Sequence, residues 1–120
     1  MSQKPYSLFR KIDGIVVTSG ALGLFPDQHG ASLVEGGVLE QLKAALKNAE
    51  LILKDAGCAR QDVFKANLYL TSLEKLPEVN EIWINFFNEP RPVRTTIAVV
   101  ELPRKALVEL DLWANLSPRN

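Results

Sequence analysis

The sequence GVLEQLKAALKNAELILKDA occupies residues 37–56 and is the clearest secondary-structure signal in the chain. Its apolar residues recur at steps of three and four, which is typical of an amphipathic helix with a single apolar stripe. Charged residues such as Glu40 and Lys47 lie off the stripe, and Gly57 is suited to end the helix in a left-handed conformation. The apolar stripe consists of Val38, Leu39, Leu42, Ala45, Leu46, Ala49, Ile52, Leu53 and Ala56.

Strand patterns flank this helix on both sides. Residues 15–18 are short and β-branched, and Asp13-Gly14 predicts a hairpin turn to a strand within residues 6–12. Residues 63–71 alternate, with Phe64, Ala66, Leu68 and Leu70 on one face. Residues 94–101 and 106–116 predict two closing strands, and the latter has a wholly apolar face of Val108, Leu110, Leu112 and Ala114.

A second helix is predicted within residues 73–87, where Pro77 fits the first turn because its missing N–H is not needed there. The predicted order is therefore β-β-α-β-α-β-β. Two helices with one apolar stripe each can cover only one face of a sheet. The sequence predicts a single α+β domain over residues 1–120, with a mixed sheet and both helices on one face.

The other face of this sheet is predicted to be amphiphilic. Polar and charged residues stand there among Val and Leu, a mixture too apolar for open water and too polar for a monomer's core. We therefore expect an interface between subunits, with the ion-pairing groups at its edge. The polar members of this predicted open face are Lys65, Asn67, Arg94, Glu109 and Asp111.

Composition excludes several classes of protein. The 120 residues are 47% apolar, and 14 Lys and Arg balance 14 Asp and Glu, so no general grip on a nucleic-acid backbone is expected. One cysteine, Cys58, and one histidine, His29, exclude a disulfide scaffold or a multi-histidine metal centre. With no membrane-length apolar run and no secretory signal, we expect a cytoplasmic protein without membrane association.

Arg94 is the strongest candidate for chemistry because it opens a strand directly after a loop stiffened by Pro90 and Pro92. If the last two strands are neighbours, Arg94 and Glu109 converge, and an Arg can bind a carboxylate with two parallel hydrogen bonds. A nearby Glu could then handle a proton or a water. The alternative is a plain ion pair between strands. We interpret Cys58 as an ordinary small residue and His29 as a solvated loop residue, and we expect neither to be catalytic.

Several of these residues also resemble a known family. Tyr6, residues 17–20 (Val-Thr-Ser-Gly), Asn80, Arg94 and Glu109 stand in the pattern of the RidA, or YjgF, family. The most specific part is the closing stretch, in which an Arg opens a strand, a Leu-Pro turn follows at Leu102-Pro103, and the next strand carries a Glu. The resemblance runs from about Pro5 to Leu116.

The resemblance implies a chorismate-mutase-like fold that assembles as a homotrimer with clefts between subunits. Deaminating members hydrolyse 2-imino acids and their enamine tautomers to 2-oxo acids and ammonia, without cofactor or metal. By position, Arg94 would hold the substrate carboxylate and Glu109 would orient the attacking water. Tyr6 would line the cleft from a neighbouring subunit, and the supporting residues would be Ser19, Asn80 and Thr96.

This chain departs from the family pattern at two positions near the expected site. Thr96 stands where deaminating members often have Cys, and Ala21 stands where Gln usually follows the Ser-Gly pair. Both changes bear on substrate preference and leave Arg94 and Glu109 in place. Two other functions remain as alternatives: a non-catalytic regulator that binds small carboxylates, and an endoribonuclease or translation inhibitor.

Overall fold

A computed structural model describes residues 4–26 and 32–116 as a mixed α+β fold of two helices and a six-stranded sheet. This confirms the predicted class, with one strand more than expected, β3. The helices are α1 (Val38–Asp55) and α2 (Leu76–Phe86). The strands are β1 (Phe9–Ile12), β2 (Ile15–Thr18), β3 (Ala21–Leu22), β4 (Val63–Leu70), β5 (Val93–Ala98) and β6 (Val108–Asn115).

The strands are arranged in the order β1-β2-β6-β4-β5, and β3 pairs with β6 beyond the end of β2. The predicted hairpin is confirmed, since β1 and β2 pair antiparallel around Asp13-Gly14. β4 and β5 are parallel because α2 forms the crossover between them, which places β5 at the sheet edge. β4 therefore separates β5 from β6, so the last two strands are not neighbours.

The core lies between the helices and one face of the sheet. Most of the predicted stripe of α1 is buried there, and so is the apolar face of β6, in which Leu110 is fully buried. One expectation was wrong: Phe64 is not in the core. The pairing register of β4 with β6 shifts between Val63 and Lys65, which buries Val63 and leaves Phe64 36% exposed.

A clamp that the sequence analysis did not predict joins the two helices. The guanidinium of Arg60 binds the Glu50 carboxylate through two hydrogen bonds of 2.8 Å, Nε to Oε2 and Nη2 to Oε1. Its Nη1 donates to the Phe86 carbonyl at 3.0 Å, and its Cζ lies 3.8 Å from the centroid of the Phe86 ring. Arg60 therefore fixes the end of α2 against the middle of α1.

The face of the sheet away from the helices, the open face, carries Lys65, Asn67, Glu109 and Asp111 as predicted. Large apolar side chains are exposed beside them, including Val93 (66%), Ile97 (44%) and Trp113 (36%). Arg94 was wrongly placed on this face. We expected the more apolar residues of β5 to face the helices. However, β5 is the edge strand, and its apolar residues Val93 and Ile97 lie on the open face, while Arg94 lies on the helix side.

Candidate active site

Glu109 stands in an open cavity of about 430 Å³, called here the Glu109 pocket. The pocket lies at the interruption between β2 and β3, where three residues, Thr18 to Gly20, oppose two residues of β6. The Leu112 N–H at this break donates to the Thr18 hydroxyl at 3.0 Å, so this backbone donor keeps a hydrogen bond. The pocket is lined by Lys4, Tyr6, Leu8, Ser19, Gly20, Leu22, Arg104 and Glu109, among others.

Gly20 is required by the position of the Glu109 carboxylate. A Cβ atom at residue 20 would overlap Glu109 Oε2, so any side chain there would displace the carboxylate. A bulged strand next to a functional group is a common way of re-aiming backbone and side chains. The interruption of the strand therefore lets the Glu109 carboxylate lie directly against the backbone of Gly20.

Two polar groups of the pocket lack partners in the described part of the chain. The Ser19 hydroxyl oxygen is buried without a hydrogen bond. The Glu109 carboxylate accepts no hydrogen bond and forms no ion pair with any residue in the described ranges. Buried polar groups in folded proteins are normally satisfied, so the unsatisfied Ser19 hydroxyl indicates a hydrogen-bond partner that the described residues do not supply. The partly buried Glu109 carboxylate lines the same pocket, which makes the pocket a candidate binding site.

The surroundings of Glu109 favour its protonated form more than water favours the protonated form of an exposed carboxyl group. Burial raises the pKa of Glu109 above its ordinary value of 4.5, and the nearby Asp111 charge raises the pKa further. A carboxyl group with a raised pKa is a stronger base when ionised and a usable acid when protonated. Glu109 is therefore suited to moving protons.

Arg94 lies on the helix-covered side of the sheet, at the edge strand β5. The register pairs it with Ala66, whose side chain is fully buried under the helices. Its Nη2 donates to Asn80 Oδ1 of α2 at 2.7 Å, and its Cζ lies 5.0 Å from the Trp83 ring centroid. Thr96 follows on the same face. Burial lowers the pKa of Arg94, which nonetheless stays charged.

Arg94 and Glu109 therefore do not meet within one chain. β4 lies between their strands, and their side chains are on opposite faces of the sheet. The expected convergence of the two residues was wrong for a single copy, because the last two strands are not neighbours. The alternative, a plain ion pair between them, was wrong for the same reason, since Arg94 forms no ion pair among residues 4–26 and 32–116.

The predicted site residues thus fall into two groups. Tyr6, Ser19 and Glu109 line the Glu109 pocket, while Asn80 and Thr96 accompany Arg94. Sequence reasoning missed Trp83, which lies one helical turn after Asn80 and could have been found from that spacing. It also did not predict that Asn67 and Tyr69 donate hydrogen bonds to Asp111.

Other candidate residues lie elsewhere. Cys58 is buried, and its thiol donates to the Asn115 carbonyl at 3.5 Å. His29 lies outside the described residues. No group of three His, Cys, Asp or Glu side chains in the described ranges could hold a metal ion. Likewise, neither α1 nor α2 has the length and apolarity needed to span a membrane.

Comparisons with known proteins match nearly the whole chain to one family. Residues 1–116 match the family model described as endoribonuclease L-PSP. The chain is 39% identical over 114 residues to mouse 2-iminobutanoate/2-iminopropanoate deaminase, covering 95% of this chain and 83% of the relative. It is also 37% identical over 112 residues to a RutC family protein of Aquifex aeolicus, covering 92% and 87%.

A solved structure agrees with the fold. The crystal structure of RidA from an Antarctic Psychrobacter bacterium superposes with a TM-score of 0.87 at 30% sequence identity, covering 96% of this chain and 91% of that one. The residues that carried the resemblance in sequence lie within this matched region. The chain therefore belongs to the endoribonuclease L-PSP family, which is the RidA or YjgF family.

Proposed function

We propose that this protein hydrolyses reactive 2-imino acids and their enamine tautomers, such as 2-iminobutanoate and 2-iminopropanoate, to 2-oxo acids and ammonia. The observation that carries the proposal is the Glu109 carboxylate, which has a raised pKa and no partner among the described residues, in an open pocket that the unsatisfied Ser19 hydroxyl also lines. The deaminase names of relatives such as the mouse protein support the same reaction.

We further propose that the active protein is a homotrimer in which Arg94 of one copy meets Glu109 of a neighbouring copy across a shared cleft. A single copy holds the two residues on opposite faces of its sheet, so only an assembly can bring them to one substrate. The exposed apolar residues of the open face, such as Ile97 and Trp113, favour burial between copies.

In this cleft Arg94 would bind the substrate carboxylate in two-pronged fashion, while Asn80 and the Trp83 ring hold its guanidinium. Thr96, beside Arg94, and Tyr6, in the Glu109 pocket, would contact the substrate. The Ser19 hydroxyl would contribute its unused hydrogen bond to the substrate or to the water.

The proposed reaction needs no group beyond these. The protonated imine is already electrophilic at C2. Glu109 accepts a proton from water as the water oxygen bonds to C2, which gives a carbinolamine. Glu109 then returns that proton to the nitrogen, the C–N bond breaks to release ammonia, and Glu109 takes the hydroxyl proton as the carbonyl forms. Glu109 passes this last proton to the ammonia, which leaves as ammonium. The products are the 2-oxo acid and ammonium, and the protein supplies position and a charged, partly buried pocket.

The test is an assay with 2-iminopropanoate and 2-iminobutanoate generated freshly by an amino-acid oxidase. We expect rapid loss of imine with the native protein and none above background with Arg94→Ala. Glu109→Gln should keep 2-oxobutanoate binding but lower kcat by roughly 10² to 10⁴. Glu40→Gln, an exposed change on α1, is the matched control and should behave as the native protein.

A mixing experiment tests the shared cleft. Arg94→Ala and Glu109→Gln chains should each have little activity alone, but a cleft that takes Arg94 from one variant and Glu109 from the other is complete. In a one-to-one mixture, one half times one half, or about a quarter, of the clefts are complete. Recovered activity of that order supports the trimeric site, and no recovery in reassembled trimers contradicts it.

Other results of these assays would support one of the two alternative functions. Absence of imine hydrolysis with tight 2-oxobutanoate binding indicates the non-catalytic carboxylate-binding regulator. RNA cleavage that Arg94→Ala abolishes, with no imine hydrolysis, indicates the endoribonuclease named in the description of the family model. A stable monomer in sedimentation would contradict both the interface and the shared cleft.

A further inference from the structure

The open face of β6 carries two carboxylates, Glu109 and Asp111, which differ sharply in their surroundings. The neighbouring strand β4 presents two hydrogen-bond donors on the same face, Asn67 and Tyr69. The register places Asn67 opposite Asp111 and Tyr69 opposite Glu109. Position alone would therefore give each carboxylate one donor.

The donors are not shared in this way. Asn67 Nδ2 donates to Asp111 Oδ1 at 2.9 Å, and the Tyr69 hydroxyl reaches diagonally to Asp111 Oδ2 at 3.3 Å. Asp111 thus takes both donors of β4, one on each carboxylate oxygen. Glu109, directly opposite Tyr69, receives neither.

This distribution leaves the Glu109 carboxylate with only one favourable direction. On the β4 side it would meet no available donor and would approach the negative charge of Asp111. On the other side the interrupted strand offers Gly20, which has no side chain, and the unsatisfied Ser19 hydroxyl. The Glu109 carboxylate is found on that second side, against Gly20.

We propose that Asp111, held by Asn67 and Tyr69, is a positioning residue that directs the Glu109 carboxylate into its pocket and keeps it free of protein partners. This inference rests on the proposed imine hydrolysis. It gives a role to Asn67, Tyr69 and Asp111, none of which was assigned above to binding the substrate or the water. Asp111 acts on the reaction through Glu109 and does not itself touch the substrate.

The electrostatics agree with this geometry. The Asp111 charge contributes, after burial, to raising the pKa of Glu109. The pKa of Tyr69 is raised by burial and then by Asp111, its hydrogen-bond partner, as expected for a hydroxyl that keeps its proton to donate. Among the residues that the structure describes, the other titratable or charged groups that line the pocket are Lys4 and Tyr6 of the N-terminal segment and Arg104 of the turn before β6.

A purely structural role would give Asp111 a different environment. It forms no ion pair with any residue of the described chain, although Lys65 lies on the same face of β4. Two carboxylates near each other on one partly buried face repel each other, which costs stability, so a contribution to the sheet does not account for this arrangement. The triad Asn67–Asp111–Tyr69 is therefore better explained by its effect on Glu109 than by its contribution to the sheet.

The test compares Asp111→Asn with the native protein. The change keeps the shape of the side chain and removes its charge, so folding should survive. It also replaces one of the two acceptor oxygens with a donor amide, so either Asn67 or Tyr69 must reorient or lose its hydrogen bond to residue 111. We expect the acid limb of the kcat/KM profile to move to lower pH, because Glu109 ionises more easily. The plateau value of kcat should fall by roughly three- to tenfold, because Glu109 becomes a weaker base.

Two controls separate positioning from general damage. Asp55→Asn makes the same chemical change at an exposed residue at the end of α1, and it should leave the pH profile unchanged. Asp111→Asn combined with Glu109→Gln should show no acid limb to shift. If Asp111→Asn is insoluble, Asp111→Ser removes the same charge with a smaller side chain and is analysed in the same way.

A direct titration distinguishes failure of this inference from failure of the proposed function. Carbon-13 NMR of the labelled Glu109 carboxyl should show its midpoint at lower pH in Asp111→Asn than in the native protein or in Asp55→Asn. That result supports the inference even if no imine is hydrolysed. If imine is hydrolysed but neither the acid limb nor the NMR midpoint moves, Asp111 does not position Glu109 and the inference is overturned.

Discussion

Arg60 and Glu50 lie in the helix layer, whereas Arg94 and Glu109 lie at the sheet, and the two pairs are used in opposite ways. In the helix layer the two side chains bind each other with two hydrogen bonds of 2.8 Å, and Arg60 also holds the Phe86 carbonyl. At the sheet, Arg94 donates a hydrogen bond to the amide oxygen of Asn80 and lies over the Trp83 ring, and neither Arg94 nor Glu109 forms an ion pair within the described chain. Identical residue types thus form a closed clamp in one region and two open groups in the other.

The two carboxylates show the same contrast in their titration. The Arg60 hydrogen bonds lower the pKa of Glu50, despite some burial. Burial and the Asp111 charge raise the pKa of Glu109. A carboxylate that serves the fold is held ionised by its partner, while one that handles protons is left unpaired in a pocket.

The largest expected effect comes from exchanging each arginine for lysine. Arg94→Lys should lower kcat/KM for imine hydrolysis by roughly 10²-fold or more, because an ammonium cannot make the planar two-pronged contact with a carboxylate. Arg60→Lys should leave kcat/KM within about twofold of the native value while lowering the free energy of unfolding by about 1 kcal/mol. Kinetics and urea denaturation of both variants provide the measurements. Equal loss of activity in both variants would show that Arg94 acts through the fold.

A smaller effect, on stability rather than on activity, is expected from neutralising each glutamate. At pH 7, Glu50→Gln should lower the free energy of unfolding by about 1 kcal/mol, because it loses charge-assisted hydrogen bonds to a partly exposed Arg60. Glu109→Gln should instead raise it, because the folded protein no longer holds an unpaired carboxylate in a pocket. Urea denaturation at equal protein concentration measures both changes.

The pH dependence of these two differences gives the sign of each pKa shift. The pKa of Glu50 is lowered in the folded state, so its contribution is complete above the ordinary value of 4.5 and is lost as pH falls through the folded value. The pKa of Glu109 is raised, so the advantage of Glu109→Gln is absent well below 4.5 and grows as pH rises through the folded value. The opposite pH dependence of the two stability differences would contradict the assignment of Glu50 as a paired carboxylate and Glu109 as an unpaired one.

The smallest effect is expected at Cys58, which belongs to neither pair. Cys58→Ser keeps a donor for the Asn115 carbonyl and should cost about 1 kcal/mol of stability, with kcat/KM within about twofold of the native value. Activity assays and thermal melts test this. His29→Ala, outside the described residues, carries the same expectation for activity. A hundredfold loss in a folded Cys58→Ser protein would return Cys58 to the list of catalytic candidates.

Local patterns were sufficient for most of the secondary structure. The stripe of α1, the hairpin around Asp13-Gly14, the position of Pro77 and the apolar face of β6 all follow from the spacing of neighbouring residues, and the structure confirms them. The short strand β3 was missed because its two residues, Ala21 and Leu22, are too few to show any period. The orientation of Phe64 was missed because a register shift has no local signature.

The sequence by itself determined the fold class, the family pattern and the two residues on which the proposed chemistry depends, because periodicity and short motifs are local properties. Only the tertiary structure decided that β4 lies between Arg94 and Glu109, that Arg60 and Glu50 form the ion pair, and that Asp111 takes both donors of β4. Strand order, side-chain reach and competition for donors depend on how distant segments pack. Such contacts are chosen by the free energy of the whole chain, and no short stretch of sequence contains them.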